Sequence, residues 1–460
     1  MYNYKLTCYK FLLVFLVLYF LIGSLAQAAW KFNWEAGVFL EHSDNIGRAD
    51  TDEDDGTVLE PRVAILAIHE GPRLDAEIGV ANEYRDHSSG VIGSNNNFNL
   101  DGVVDWKIMP NLLVWTFEDH FGSEFPVDIR DSPDEENRQD VNTFLTGPTF
   151  TPRIFSRTNL LLEGRYINTE AEETDIDNDR LQGKIGIQRD LTPNSSISIN
   201  YLYEDTDFDE DTLDPTIGNI DFDRDNYFLE YNLARRSLDI RAVVGYSEIE
   251  RDEGANRKSE GGGNNLLSIS YVINSTSSLS LTAYDQFTDT TSDSSTNGEA
   301  GLGGGFGGIG SGGSTGVAGG IDVGDIAMDV TGDTVDTEGF VIDYSKRFSR
   351  IESSFSYFQS DDDHDLVNIN DRETNGGTIS FELPLNGTTT IGLASEYRET
   401  EFDVDSREDE DFLIMLSGEY HARRNLVFES TLEYQEKDSD AVGEDFDELV
   451  ARIGFVYTNF

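Results

Sequence analysis

The chain of 460 residues has one cysteine, six histidines and only 33 lysines and arginines, and each scarcity excludes something. Cys8 precedes the apolar run FLLVFLVLYFLIG, residues 11–23. Beyond residue 28 there is therefore no thiol for a disulfide, a metal, nucleophilic catalysis or a lipid anchor at a cleavage point. The basic residues face 88 aspartates and glutamates, a formal charge of −55. A chain this acidic does not bind nucleic acid through phosphates, which takes a basic surface. The histidines, at positions 42, 69, 87, 120, 364 and 421, show no metal-ligand spacing. That apolar run of 13 residues is shorter than the roughly 20 that a transmembrane helix needs.

Lys5 and Lys10, the apolar run and Ala26-Gln27-Ala28 instead read as a secretory signal peptide over residues 1–28. The sequence is rich in aromatics, with 28 Phe and 19 Tyr in the whole chain, too many for a disordered acidic tail. The charge must be segregated from an apolar surface.

Alternation shows where. In LLLEGRYIN (160–168), Leu160, Leu162, Gly164 and Tyr166 share one face while Leu161, Glu163, Arg165 and Ile167 share the other. SLDIRAVVGYSE (237–248) and TTIGLASEYRE (389–399) repeat the two-residue period, which predicts strands of about 10 residues with one apolar face. Connections alternate in length. Short ones such as EGPR (70–73), IMPN (108–111) and LTPN (191–194) take turns with long acidic ones such as EDTDFDEDTLDPTIGNIDFDRD (204–225) and QSDDDHDLVNIND (359–371). The pattern predicts about 20 strands, with 18 as the alternative count, joined by nine short turns and ten long acidic loops. That is the signature of an all-β, antiparallel, up-and-down outer-membrane barrel with short periplasmic turns, long extracellular loops and one domain over residues 29–460.

Tyr84, Tyr166, Tyr203, Tyr246, Tyr397 and Tyr434 each precede an acid run, which predicts an aromatic girdle where outgoing strands leave the bilayer, with the acids as exposed loop beyond it. Tyr284 and Tyr357 continue the spacing of about 40 residues, which also suits a β-propeller. Two long strands per period, rather than four short ones, favour the barrel. Phe460 ends the chain on the opposite parity from Leu449, Ala451, Ile453, Phe455 and Tyr457.

FLEHSDNIGRAD (39–50) followed by LEPRVAI (59–65) resembles the β-barrel porin type 2 family of outer-membrane proteins. The resemblance implies a barrel over nearly all of the chain and a place beside exopolysaccharide-export or exosortase gene sets.

The candidate site is the lumen. Parity predicts that Arg73, Glu77, Glu163, Arg165, Lys184, Glu230 and Arg241 line it, together with Glu382, Glu396, Arg398, Glu429, Glu433 and Arg452. A barrel of this size is too wide for side chains alone to close, which favours a hydrated, ion-lined channel over an interior filled by its own ion pairs. Asp175, Asp177 and Asp179 have the one, three, five spacing of a calcium loop but lack its glycine and late glutamate, leaving at most weak, collective binding of divalent cations. GEAGLGGGFGGIGSGGSTGVAGG (298–320) holds 13 glycines and a formal GxGxxG without the strand and helix a dinucleotide site requires, so it reads as an extracellular loop insertion. The expected protein is a passive, cation-preferring channel or the outer-membrane component of an exopolysaccharide pathway. Its partners are lipid, lipopolysaccharide and, on the second reading, polysaccharide or its export machinery. No cofactor and no enzymatic activity are expected; a surface adhesin is the first rival and a barrel-embedded hydrolase the second.

Overall fold

The computed structural model describes residues 30–51, 53–90, 92–124, 139–171, 177–209, 220–253, 256–289, 334–365, 371–403 and 407–459. The strands of its first half are β1 (Lys31–Ser43), β2 (Gly56–Glu70), β3 (Leu74–His87), β4 (Asn95–Met109), β5 (Leu113–Glu124), β6 (Gln139–Phe150), β7 (Arg153–Phe155), β8 (Thr158–Ala171), β9 (Asn178–Thr192) and β10 (Ser195–Phe208). The second half continues with β11 (Phe222–Arg235), β12 (Leu238–Glu253), β13 (Asn256–Asn274), β14 (Ser277–Asp289), β15 (Thr334–Phe348), β16 (Ile351–His364), β17 (Arg372–Asn386), β18 (Thr389–Phe402), β19 (Arg407–Arg423), β20 (Leu426–Ser439) and β21 (Phe446–Thr458). Each long strand pairs antiparallel with the long strands before and after it, β6 with β8 included, and β21 pairs with β1 from Glu35↔Thr458 to Ser43↔Val450, closing the sheet. The three-residue β7 sits within the turn between β6 and β8 and pairs only with the start of β8. The wall is thus a closed barrel of 20 long strands.

Alternation decides which way each residue faces. On β18, Ile391, Leu393 and Tyr397 are exposed on the outer wall while Gly392 and Ala394 are buried on the inner one. The outer wall carries two aromatic rims. At the loop end Tyr84, Tyr166, Tyr203, Tyr246, Tyr357 and Tyr397 are exposed. Near the turn end Trp34 packs on Tyr457 with centroids 5.6 Å apart, and Phe428 lies between Tyr420 and Phe455 at 6.5 and 6.4 Å. Turns are tight: Asn111, between β4 and β5, has φ of 62°, a left-handed conformation that asparagine tolerates.

Two expectations need correction. Apart from β7 the strands are 12 to 19 residues long, more than the 9–11 that a membrane crossing takes. The excess lies at the loop end, where much of each acid run is strand rather than loop. In β10 the alternation continues through the acids, with Asp205 and Asp207 on the Tyr203 face and Glu204, Thr206 and Phe208 buried inside. Tyr284 keeps the spacing without joining the outer rim: it pairs with buried Leu266, and a Cβ on inward-facing Gly339 would meet its ring, so it faces inward. The other correction concerns the interior, which its own ion pairs and aromatics fill at the loop end. Residues 1–29, the glycine-rich stretch 298–320 and Phe460 lie outside the described residues.

Candidate functional site: the lumen and its narrowed mouth

Strand parity puts twelve of the thirteen expected lining residues on the inner wall. Arg73 instead falls in the turn between β2 and β3. Several of the twelve meet. Arg165 lies 3.6 Å from Glu163, which faces Lys184 across β8 and β9; Arg241 lies 3.0 Å from Glu230; Arg398 reaches Asp411 at 2.8 Å. Glu429 approaches Arg62 at 3.9 Å, and Arg452 pairs with Glu60. Glu382 has no cation opposite it, facing Glu352 instead.

At the seam where the barrel closes, the inward ring of Phe39 is 2% exposed and carries two guanidinium groups, Arg452 at 4.0 Å and Arg62 at 4.4 Å from its centroid. Phe39 is paired with Gly454, and a Cβ there would collide with the ring. Glycine at 454 is therefore what lets an aromatic lie flat against the closing strand. Arg85 adds a 2.9 Å bond to Glu41 above this stack. Pattern reading missed Phe39, Glu60 and Arg62, although Glu60 and Arg62 share one parity of LEPRVAI, on either side of Pro61.

The mouth is built from strands far apart in the chain. β14 pairs with β13 only as far as Asn264↔Gln286, yet stays paired with β15 to Asp289↔Thr334. Its last residues leave β13 and turn inward at Gly262, where a Cβ would meet Phe287 Cβ at 2.6 Å. Phe287 then packs on Phe208, Phe222 and Ile249 from β10, β11 and β12. Asp289, fully buried, accepts from Arg180 of β9 at 2.7 Å and from Arg224 of β11 at 3.3 Å, and the same two arginines contact Glu204 at 3.4 and 3.1 Å. A second tie joins Asp365, just past β16, to Arg251 of β12 at 3.5 Å and Lys258 of β13 at 2.9 Å. Burial pushes the Asp365 carboxyl up, but a hydrogen bond with Glu260 and then the Lys258 and Arg251 contacts hold it below its ordinary range.

Water access therefore changes along the axis. At the loop end Arg180, Glu204, Thr206 and Ile249 are at most 1% exposed; near the turn end the side chains of Arg241 and Glu352 are 41% and 50% exposed. The interior is filled by its own ion pairs and aromatics at one end and open to water at the other, whereas the strand count favours a hydrated, ion-lined channel over an interior filled by its own ion pairs.

The remaining candidates fall into place singly. Asp177 caps the Ala171 N–H at 2.7 Å, and Asp179 accepts from Tyr166 Oη at 2.6 Å and Asn168 at 3.1 Å; Asp175 lies outside the described residues. His120 faces inward near Asp101 and Glu118, at 3.5 and 3.9 Å. Among the described residues no group of three or more His, Cys, Asp or Glu is arranged to hold a metal.

No family model matches the chain, and no curated protein matches it. Solved structures of similar fold include the FrpB iron transporter of Neisseria meningitidis in its apoprotein form, 8% identical with TM-score 0.46, the match covering 93% of this chain and 81% of that one. Another is OccK2 of Pseudomonas aeruginosa in complex with glucuronate, 8% identical with TM-score 0.38 over 94% and 98%. A third is a loop-deletion mutant of OmpT, an outer membrane protein of Vibrio cholerae, 10% identical with TM-score 0.35 over 94% and 99%. At these identities the likeness reaches no individual residue and no activity.

Proposed function

We propose that this barrel spans an outer membrane and conducts small hydrophilic solutes passively, with a preference for cations, through a lumen narrowed at its loop end. The observation that carries the reading is the division of the wall. Apolar side chains between two aromatic rims face outward, and charged side chains face inward and become water-exposed toward the turns. The chain's carboxylate excess, gathered in the acid runs around the loop end, supplies the cation preference, because a field of one sign around a mouth concentrates counter-ions. No catalytic role and no cofactor enter this reading.

Liposome swelling tests it. Purified barrel should admit small sugars and cationic amino acids faster than anionic ones of equal size; liposomes that swell no faster than protein-free controls would exclude a channel and leave the adhesin, and a positive lipid-hydrolysis screen would favour the embedded hydrolase. The finer role, export of an exopolysaccharide, rests on the resemblance of residues 39–50 and 59–65 to porin type 2 chains. It predicts loss of secreted polysaccharide on gene deletion, and unchanged secretion would remove it.

A further inference from the structure

We propose that the loop end of β14, Phe287–Asp289, is a releasable latch across the mouth, seated by the Arg180, Glu204, Arg224 and Asp289 cluster; the proposal rests on the channel reading. The wall itself supplies two places for this segment. In the inward seat Phe287 packs on Phe208, Phe222 and Ile249, and Asp289 joins two arginines contributed by β9 and β11. In the upright seat the segment would continue the ladder along β13. That strand stays paired with β12 down to Glu253↔Asn256, but among the described residues no strand pairs with its other edge beyond Asn264. Exchange between the seats trades apolar packing and ion pairs for ladder hydrogen bonds, and Gly261, Gly262 and Gly263 place no side chain in the path.

The charges make the inward seat conditional. Among the described residues the two arginines meet two carboxylates, and Arg180, Glu204 and Asp289 are at most 1% exposed, so each of these buried charges depends on its partners. Removing the Asp289 charge takes one carboxylate from two buried guanidinium groups, and breaking a buried pair from one side is the costly way to break it. Arg180 and Arg224 also belong to strands that need not move, so the release carries β14 with the start of β15 and the end of β16, which are laddered to it through Asp289↔Thr334 and Val335↔His364.

Single-channel recording of the purified full-length protein tests the latch. Wild type should dwell mostly in a low-conductance level with brief high-conductance openings. Asp289→Asn should shift the ratio of high to low dwell by about a hundredfold toward high. The opposite lock uses Phe222→Cys with Phe287→Cys in a Cys8→Ser background, joined by a short reducible bifunctional thiol reagent. The crosslinked barrel should stay low, and reductant should restore openings. Heat-modifiable mobility on gels shows that each variant is folded. A folded Asp289→Asn protein with wild-type levels and dwell times, or a crosslinked protein that still opens, would overturn the latch while leaving the channel intact. A barrel silent in every variant would overturn both.

Discussion

A single residue on this barrel is defined first by its parity. Leu393 and its cross-strand partner Phe381 face outward, whereas Ser380, one residue from Phe381, faces the lumen and bonds Ser354 at 2.6 Å. An arginine at a lipid-facing midplane site costs about 2 to 4 kcal/mol, and far less in a hydrated interior. Leu393→Arg is therefore expected to lower the yield of heat-modifiable barrel, with Ser380→Arg assembling normally; equal yields would show the faces to be misassigned. Gly454 tests the seam in the same way. Any larger side chain must push Phe39 from between β1 and β21, and overpacking of this kind costs about 1–3 kcal/mol. Gly454→Val should lower the melting temperature, and Phe39→Leu in the same chain should recover part of the loss. Facing was legible in the sequence because the strand period is two, so Glu163, Lys184, Glu230 and Arg452 could be placed from pattern alone. Tyr284 shows the limit: its spacing fits the girdle, but one residue of offset turns it inward. Partnership was not legible, since Arg180 and Asp289 are 109 residues apart and meet only once the wall has closed and bent.

The elements were legible in number and order, and less so in extent. Length alternation of the connections gave twenty strands, because a hairpin turn at one end and a long crossing at the other leave different compositions. Their outer ends are not legible, because a run of acids has the same composition in a loop as in a strand that extends into water. A strand need not stop where its outward residues leave the bilayer, since the ladder hydrogen bonds continue and water solvates the carboxylates. The consequence is a set of like charges held on one face. Asp205 lies directly across from Asp223, and Asp207 from Asp179. Burial, then the neighbouring carboxylates, pushes the Asp205 and Asp207 carboxyls above their ordinary range. A carboxyl raised in the folded state is easier to ionise in the unfolded one, so it favours folding below the ordinary value of about 4, and that contribution is lost as pH rises through the raised values. Hydrogen exchange corrected for intrinsic rates should therefore show the ends of β10 and β11 better protected near pH 4 than near pH 7. Protection that increases with pH would contradict the assignment of strain to these aspartates.

The whole molecule joins an apolar exterior to a charged interior that is dense at one end and wet at the other. The closed barrel follows from the alternation, but the narrowing does not, because it depends on where β14 leaves β13 and on which side chains the opposite wall presents there. The most direct test of a cation-preferring channel is the reversal potential of the purified barrel in a planar bilayer under a potassium chloride gradient. With acidic mouths acting over a Debye length of about 8 Å at physiological salt and about 3 Å at 1 M, the potential should have the sign of potassium selectivity and shrink as both sides are raised toward molar salt. A potential of the opposite sign, or a bilayer that shows no protein-dependent current, would contradict the account.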